Sequence, residues 1–149
     1  MDIIALAADH RGFAAKSELI AFLKEGGFGV LDLGTHSDVR VDSQDYAIAT
    51  AKALKEGKAA KGIIICGSGN GIAMAANRFS HVRAAVCPHV TAAKMARQHN
   101  DANVISLAAD YMGVGLMKEC VEVFVKTEFL GGRYGERVQK LTKLDPNKC

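Results

Sequence analysis

The feature that most constrains the fold is a repeated alternation between short apolar runs and longer segments with helical periodicity. Five runs are strand length and rich in Ile, Val, Leu or Ala, without a polar residue at every second position. They cover residues 3–8, 29–33, 62–66, 83–87 and 103–107. Such runs are typical of strands that are covered on both faces, as in a parallel sheet.

The segments between and after these runs place apolar residues on one helical face. They cover residues 13–25, 45–56, 72–78, 90–98, 114–126 and 133–144. Five strand–helix repeats predict an α/β fold: a three-layer sandwich around a doubly wound, parallel, five-stranded sheet with right-handed crossovers. The length of 149 residues and the absence of a linker predict a single domain over residues 1–149.

Composition excludes several classes of protein. Hydrophobic residues make up 49% of the chain and there are only 2 prolines, which rules out a disordered or collagen-like chain. A formal net charge of +3, without a run of like charge, gives no support for a nucleic-acid or membrane-surface partner.

Cysteine usage and the N-terminal residues indicate a cytoplasmic protein. The four cysteines are widely spaced and form no C-x-x-C pair, so a zinc ribbon, a redox motif and a disulfide framework are all unsupported. The N-terminus lacks a basic segment, and no apolar run approaches the ~20 residues of a membrane span. These features predict a cytoplasmic chain without a metal.

The strongest local signal is the loop Cys66-Gly67-Ser68-Gly69-Asn70-Gly71, which follows a buried strand and precedes a helix. In parallel sheets the binding crevice lies outside the carboxyl ends of the strands. Closely spaced glycines let backbone N–H groups converge on an anion. Ile72 stands where a dinucleotide loop needs its third glycine, and the loop has no lysine for a P-loop. The loop is therefore expected to hold a small anion or a developing oxyanion.

Cys66 is the cysteine that this position singles out. A buried cysteine is often inert core, and Cys87 and Cys120 fit that interpretation, while Cys149 is expected to be an exposed thiol of the tail. Cys66 alone lies at the carboxyl end of a strand beside a helix N-terminus, where a thiolate is favoured. We predict a functional Cys66.

Three further groups of residues are candidates, each with a plainer alternative. Asp9 and His10 directly follow the first strand, which we expect to be central and so to place them near Cys66; capping of the next helix would explain Asp9 alone. His99 near a helix C-terminus has a structural justification as a cation there. Arg133 and Arg137 lie one turn apart after Gly-Gly, either as a phosphate clamp or as a solvated pair.

Together these residues resemble the ribose-5-phosphate isomerase type B and galactose-6-phosphate isomerase family, over residues 3–141. The resemblance rests on five segments of the sequence. They are Asp9-His10-Arg11-Gly12-Phe13, Ile65-Cys66-Gly67-Ser68-Gly69-Asn70-Gly71-Ile72, Ala75-Ala76-Asn77-Arg78, Arg97-Gln98-His99-Asn100-Asp101-Ala102-Asn103-Val104 and Gly131-Gly132-Arg133.

The resemblance implies a Rossmann-like homodimer, sometimes paired into a tetramer, that interconverts aldose and ketose phosphates through a cis-enediolate without cofactor or metal. It implies Cys66 as the base and His99 as the group that helps open the sugar ring. It also implies that Ser68 assists the loop backbone in holding the enediolate oxygen. It further implies a set of substrate-binding residues, some of them donated across the dimer interface. They are Asp9, His10, Gly67, Gly69, Asn70, Gly71, Asn100, Arg133 and Arg137.

One branch of the family carries a Glu base directly after Gly-Asn-Gly, whereas this chain has Ile72 there and Cys66 at the strand end, which indicates the Cys branch. Three features depart from the family pattern: Ser43-Gln44 replaces Tyr-Pro, Asp110 stands where Arg is common, and Tyr134 stands where His is common. An acid near a phosphate is repulsive.

These departures leave the substrate open. We expect ribose 5-phosphate, with a six-carbon phosphate such as galactose or allose 6-phosphate as the alternative, and a non-catalytic sugar-phosphate-binding module as a second class. The last helix carries an apolar stripe with Val138 and Leu141 that we expect to pack on a partner subunit.

Overall fold

The computed structural model describes residues 2–148 and confirms the alternation predicted from the sequence. The five strands are β1 (Ile3–Ala8), β2 (Gly29–Asp32), β3 (Lys61–Cys66), β4 (Ala84–Val86) and β5 (Val104–Ala108). The six helices are α1 (Phe13–Glu25), α2 (Ser43–Lys55), α3 (Asn70–Ala76), α4 (Val90–Asn100), α5 (Val114–Lys126) and α6 (Arg133–Thr142). β1, α1 and α5 have the predicted bounds.

The strands form one parallel sheet in the order β2-β1-β3-β5-β4. The expectation that the first strand is central is wrong, because β3 occupies the centre and β1 lies beside it. The order follows from the crossovers: β2 lies on the outer side of β1, and the chain then crosses β1 to place β3 on its other side. The predicted neighbourhood of the β1 and β3 ends nevertheless holds.

The helices cover both faces of the sheet and give the predicted three-layer sandwich. One face carries α1, α4 and α5 over a core that includes Leu19, Phe124 and Ile65. The other carries α2 and α3 over a smaller core that includes Ile64 and Ile72. Each crossover is right-handed, so its helix lies on the face that depends on the direction in which the connection runs along the sheet. Connections that run in opposite directions therefore place their helices on opposite faces.

The sheet has two ends, and each carries polar residues that the sequence singles out. We call the end at which the parallel strands finish the carboxyl edge; it carries the segments that leave β1, β3 and β5. We call the end at which these strands begin the amino edge. α4 runs antiparallel to the strands between β4 and β5, so its last residues lie at the amino edge. α6 packs beside α4 and buries none of its residues.

The helix bounds refine three predictions. α3 begins at Asn70 instead of residue 72, so Asn70 and Gly71 form its first turn and the glycine loop is shorter than expected. α4 extends to Asn100 and therefore contains His99. α6 ends at Thr142, and the predicted polar tail follows it. Within residues 2–148 no helix is both long and apolar enough to span a bilayer.

Candidate active site

The loop after β3 is held in place by hydrogen bonds of its own and from β5. The Gly69 N–H donates to the Cys66 Sγ at 3.2 Å, and the Asn70 N–H donates to the Ser68 Oγ at 3.1 Å. Ser106 Oγ donates to the Gly69 carbonyl at 2.6 Å, and Tyr111 Oη donates to the Ser68 carbonyl at 2.8 Å. The sulfur therefore sits in a rigid frame at the strand end.

Gly69 allows this frame to form. Its φ of +78° lies in the left-handed region, which side chains disfavour. A Cβ there would also lie 3.2 Å from the backbone carbon and oxygen of Leu107. A glycine at this position lets the loop turn tightly against β5.

Backbone donors remain for a ligand beside the sulfur. The N–H groups of Gly67 and Ser68 have no acceptor among residues 2–148. Both residues are half-buried, whereas Cys66 is only 6% exposed. Unpaired backbone N–H groups next to a buried nucleophilic or basic atom are the arrangement that stabilises an oxyanion.

Asp9 and His10 lie at the same edge, next to the end of β3. The Asp9 N–H donates to the Ile65 carbonyl at 3.1 Å. One carboxylate oxygen of Asp9 accepts from the backbone N–H groups of Arg11 at 2.9 Å and Gly12 at 3.2 Å. Asp9 thus shapes the turn before α1 but does not cap the helix, whose N-cap is Gly12 without a side-chain hydrogen bond, and its second oxygen has no partner in the described chain.

His10 is tied to the loop that follows β2. Its Nδ1 accepts from the Val41 N–H at 3.2 Å, which in the neutral imidazole leaves the proton on Nε2. The start of α2 reaches the same edge, because a Cβ on Gly71 would lie 3.9 Å from the Ser43 Oγ. The departure at Ser43-Gln44 therefore falls on the periphery of the candidate site.

The other cysteines behave as core residues. Burial first, and then the nearby Cys120, raise the pKa of Cys87 to about 12. Burial, followed by the charge of Glu119, also raises the pKa of Cys120. Both thiols stay protonated at neutral pH and lie in the core under α4 and α5. Cys149, expected to be an exposed thiol, lies outside the described residues.

A second cluster forms around His99 between α4 and α6. The His99 and Tyr134 rings are stacked, with centroids 4.4 Å apart and planes inclined by 10°. The Arg137 guanidinium carbon lies 6.0 Å from the Tyr134 ring centroid. Together with Asn100, Val138 and Leu141, these residues line a cleft of about 220 Å³. Arg133 is exposed one turn before Arg137.

Within one chain the two clusters lie at opposite edges of the sheet. Cys66 pairs with Ala108 at the end of β5, whereas His99 and Asn100 lie just before β5 begins at Val104. The five residues of β5 span about 13 Å. The structure thus brings Cys66, Ser68, Asp9 and His10 together at the carboxyl edge. It brings His99, Asn100 and Arg137 together at the amino edge, where Arg133 lies outside the cleft lining.

Several residues of these clusters escaped the sequence analysis as site components. Tyr111 and Ser106 hold the glycine loop, and Arg11 pairs with Asp110 across it, with 2.5 Å between Nη1 and Oδ2. Tyr111 comes shortly after the last predicted strand. Position after the carboxyl end of a strand is the same signal that selected Cys66, Asp9 and His10. Among residues 2–148, no group of three His, Cys, Asp or Glu residues is placed to hold a metal ion.

Comparison with protein families and curated proteins gives a consistent picture. The family described as Ribose/Galactose Isomerase matches residues 4–141. Ribose-5-phosphate isomerase B of Escherichia coli (strain K12) is 40% identical over 148 residues, which cover 99% of both chains. The probable ribose-5-phosphate isomerase B of Mycoplasma pneumoniae is 36% identical over 97% of this chain and 96% of its own.

Solved structures share the fold over nearly the whole chain. Ribose-5-phosphate isomerase B of Clostridium thermocellum superposes with a TM-score of 0.92 and 42% identity, covering 94% of this chain and 95% of that one. The Mycoplasma genitalium enzyme with bound ribulose 5-phosphate has a TM-score of 0.88 and 36% identity, covering 94% and 93%.

Proposed function

The chain belongs to the ribose/galactose isomerase family, and we propose that it interconverts ribose 5-phosphate and ribulose 5-phosphate with Cys66 as the base. The observation that carries this proposal is the buried Cys66 sulfur beside the unpaired N–H groups of Gly67 and Ser68. Moving a proton next to a carbonyl needs a base and a site for the negative oxygen, and this loop offers both.

The reaction proceeds on the open-chain sugar. The Cys66 thiolate takes the proton from C2, the C2–H electrons form a C1–C2 double bond, and the C1 carbonyl becomes an enediolate oxygen. The backbone N–H groups of Gly67 and Ser68 stabilise that oxygen, with the Ser68 hydroxyl assisting. The thiol then returns the proton to C1, the C2 oxygen becomes the ketone, and the proton of the C2 hydroxyl ends on O1.

The ring-closed sugar must first open, and we assign this step to His99. An imidazole carries one nitrogen that can donate a proton and one that can accept it, so it can move a proton between the ring oxygen and the anomeric hydroxyl. Because His99 lies at the amino edge of its own sheet, it serves the Cys66 of a second copy. The functional unit is then a homodimer, which can pair further into a tetramer.

The surface around α6 supports a second copy as partner. Leu141 and Leu144 on and after α6 are 50% and 69% exposed. Both line a groove of about 490 Å³, whose opposite side is formed by Phe79, Val82 and other residues between α3 and β4. An exposed apolar face of this kind marks an interaction surface, and two copies would bury it at their shared interface.

The remaining residues bind the sugar phosphate. Arg133 and Arg137 of one copy clamp the phosphate in the other copy's site, since guanidinium groups bind phosphate through paired hydrogen bonds. The polar side chains and loop backbone at the two edges hold the sugar hydroxyls; they are Asp9, His10, Gly67, Gly69, Asn70, Gly71 and Asn100. Residues 1–149 act as one isomerase domain.

We place the enzyme in the cytoplasm. Cys66, Cys87 and Cys120 are all free thiols in the structure. A catalytic thiol needs a reducing compartment, because oxidation removes the thiolate that acts as the base.

The test is turnover of a panel of aldose phosphates by the purified protein, followed by formation of the ketose. Ribose 5-phosphate is expected to give the highest kcat/KM. Preference for galactose or allose 6-phosphate would move the assignment to a six-carbon substrate, the alternative that the departures at Asp110, Tyr134 and Ser43-Gln44 leave open. Binding without turnover of any of them would indicate a non-catalytic module and contradict the proposal.

A further inference from the structure

We propose that Arg11 is a substrate-binding residue that contacts the phosphate, and that Asp110 positions its guanidinium and tunes how strongly it binds. This inference rests on the proposed isomerase function. It concerns the ion pair between Arg11 Nη1 and Asp110 Oδ2, 2.5 Å apart, which joins the loops that follow β1 and β5 at the carboxyl edge.

Both partners are anchored to the candidate site through their backbones. The Arg11 N–H donates to the Asp9 carboxylate at 2.9 Å. The Asp110 N–H donates to the Gly67 carbonyl at 3.0 Å, and its neighbour Ala109 donates to the Cys66 carbonyl at 2.9 Å. The pair is therefore fixed relative to the Cys66 sulfur by the same loops that hold the sulfur.

The pair lies across the first glycine of the loop. A Cβ on Gly67 would meet the Asp110 Oδ2 at 2.8 Å and the Arg11 Cδ at 3.1 Å. Only a residue without a side chain leaves room for the pair directly after Cys66. The guanidinium is thus held at the mouth of the loop, beside the residue that directly follows Cys66.

The guanidinium keeps binding capacity while it is paired. Only Nη1 of Arg11 has a hydrogen-bond partner among residues 2–148, and the side chain is 57% exposed. Nε and Nη2 can therefore donate to a ligand, and a fork of parallel N–H donors matches a phosphate better than a lysine ammonium does. An exposed arginine that a carboxylate holds in one orientation loses less side-chain freedom when the phosphate arrives.

The pair also resolves the departure at Asp110. A lone carboxylate at this edge would repel a phosphate dianion, whereas a carboxylate neutralised by Arg11 does not. The acid competes with the phosphate for the guanidinium, so Asp110 weakens binding as well as orienting the arginine. Removal of the Arg11 guanidinium and removal of the Asp110 charge are therefore expected to change substrate affinity in opposite directions.

A structural role alone predicts a different pattern. Ion pairs this exposed contribute little to stability, and the loss of either partner would then have the same effect. The pair between Lys118 and Glu18 offers a matched control, with 3.6 Å between charged atoms and side chains 37% and 55% exposed on α5 and α1.

The experiment measures steady-state kinetics with ribose 5-phosphate and calorimetric binding of inorganic phosphate to the full chain. Arg11→Met is expected to raise both KM and the phosphate Kd by about tenfold or more, with kcat changed far less, because the phosphate takes no part in the chemistry. Arg11→Lys should recover part of the loss. Asp110→Asn should lower both constants by about two- to fivefold.

The controls Lys118→Met and Glu18→Gln should leave both constants unchanged. The proposal is overturned if Arg11→Met leaves KM and the phosphate Kd within twofold of wild type, or if Asp110→Asn raises them as Arg11→Met does. If the wild-type protein fails to turn over ribose 5-phosphate, the proposed function fails, and the phosphate-binding arm still decides the role of Arg11.

Discussion

The loop after β3 and the helix α6 contrast sharply in how the chain supports them. The loop is held by side chains of β5 and its following turn, and Cys66 within it is 6% exposed. α6 buries none of its residues, and its arginines face outward. The chain holds the loop in place through its own hydrogen bonds and burial, whereas α6 lies exposed on the surface.

The contrast teaches that a chain can preorganise one half of a site and leave the other half for assembly. A base beside an oxyanion pocket needs fixed geometry, which the buried loop gives. A phosphate clamp needs charge and reach, which an exposed helix gives at little cost in folding stability. Substitutions in the loop should therefore affect stability and chemistry together, whereas substitutions of the exposed arginines on α6 should affect activity alone.

The largest expected effect tests the loop. Cys66→Ala should lower kcat by about 10²–10⁴-fold, the usual contribution of a general base, while the protein remains folded. Cys87→Ala is the matched control: it removes a buried thiol of raised pKa from the core and should cost stability but not turnover. Near-normal turnover by Cys66→Ala would return Cys66 to the core and remove the base from the proposal.

His99 tests the second region. His99→Asn should reduce turnover of ribose 5-phosphate by about 10²-fold, since proton transfer to the ring oxygen is lost. Erythrose 4-phosphate, whose phosphorylated O4 prevents furanose closure, should lose far less with the same variant. Equal losses on both sugars would show that His99 acts after ring opening. The melting temperature should stay near that of the wild type.

The stack between His99 and Tyr134 sharpens that test. Tyr134→Leu removes the aromatic partner and should lower kcat for ribose 5-phosphate by about three- to tenfold, because a stacked pair contributes about 0.5–1.5 kcal/mol. Tyr134→Phe keeps the ring and should retain activity. Similar losses in both variants would assign the effect to the Tyr134 hydroxyl and not to stacking.

The smallest expected effect concerns an ion pair between α1 and the end of β2, at the carboxyl edge. Lys16, only 1% exposed, donates to Asp32 at 2.6 Å, and Asp32 also accepts from the Gly34 N–H. Partial burial raises the pKa of Asp32, but the hydrogen bonds from Lys16 and Gly34 and the charges of Lys16 and His36 outweigh it and hold the pKa below its usual 3.8.

A carboxyl group whose pKa is lower in the folded than in the unfolded state stabilises the fold at pH values above its unfolded pKa. This stabilisation is lost as the pH falls through the folded pKa. Asp32→Asn should therefore lower the free energy of unfolding at pH 7 by about 1–2 kcal/mol, reduced by the partial exposure of Asp32. The gap to wild type should narrow below about pH 4 in denaturant titrations. A gap that is independent of pH would exclude the Lys16–Asp32 charge as its cause.

Much of the fold can be predicted from the sequence because apolar strand runs and glycine breaks are local signals. The carboxyl-edge rule then selects Cys66, Asp9 and His10 from the sequence alone. Strand order is the exception, because whether β1 or β3 is central depends on which crossovers reverse, and no single segment records that.

Contacts between distant residues could not be predicted from the sequence. Arg11 and Asp110 are 99 positions apart, and only the neighbouring ends of β1, β3 and β5 bring them together. The stack of His99 on Tyr134 depends on how α6 packs beside α4 after the turn at Gly132, whose φ is +59°. The placement of His99 at the opposite edge follows from strand direction, which the sequence does imply.

The central claim is that one active site takes Cys66 from one copy and Arg137 from another, and mixing two inactive variants tests it most directly. Cys66→Ala and Arg137→Ala are purified separately, mixed in equal amounts and allowed to exchange subunits, with exchange proven by a mass-tagged copy. Half of the dimers are then mixed, and each holds one intact site, so activity should recover to about one quarter of wild type. Proven exchange without recovery would contradict a shared site and place both residues in the same chain's site.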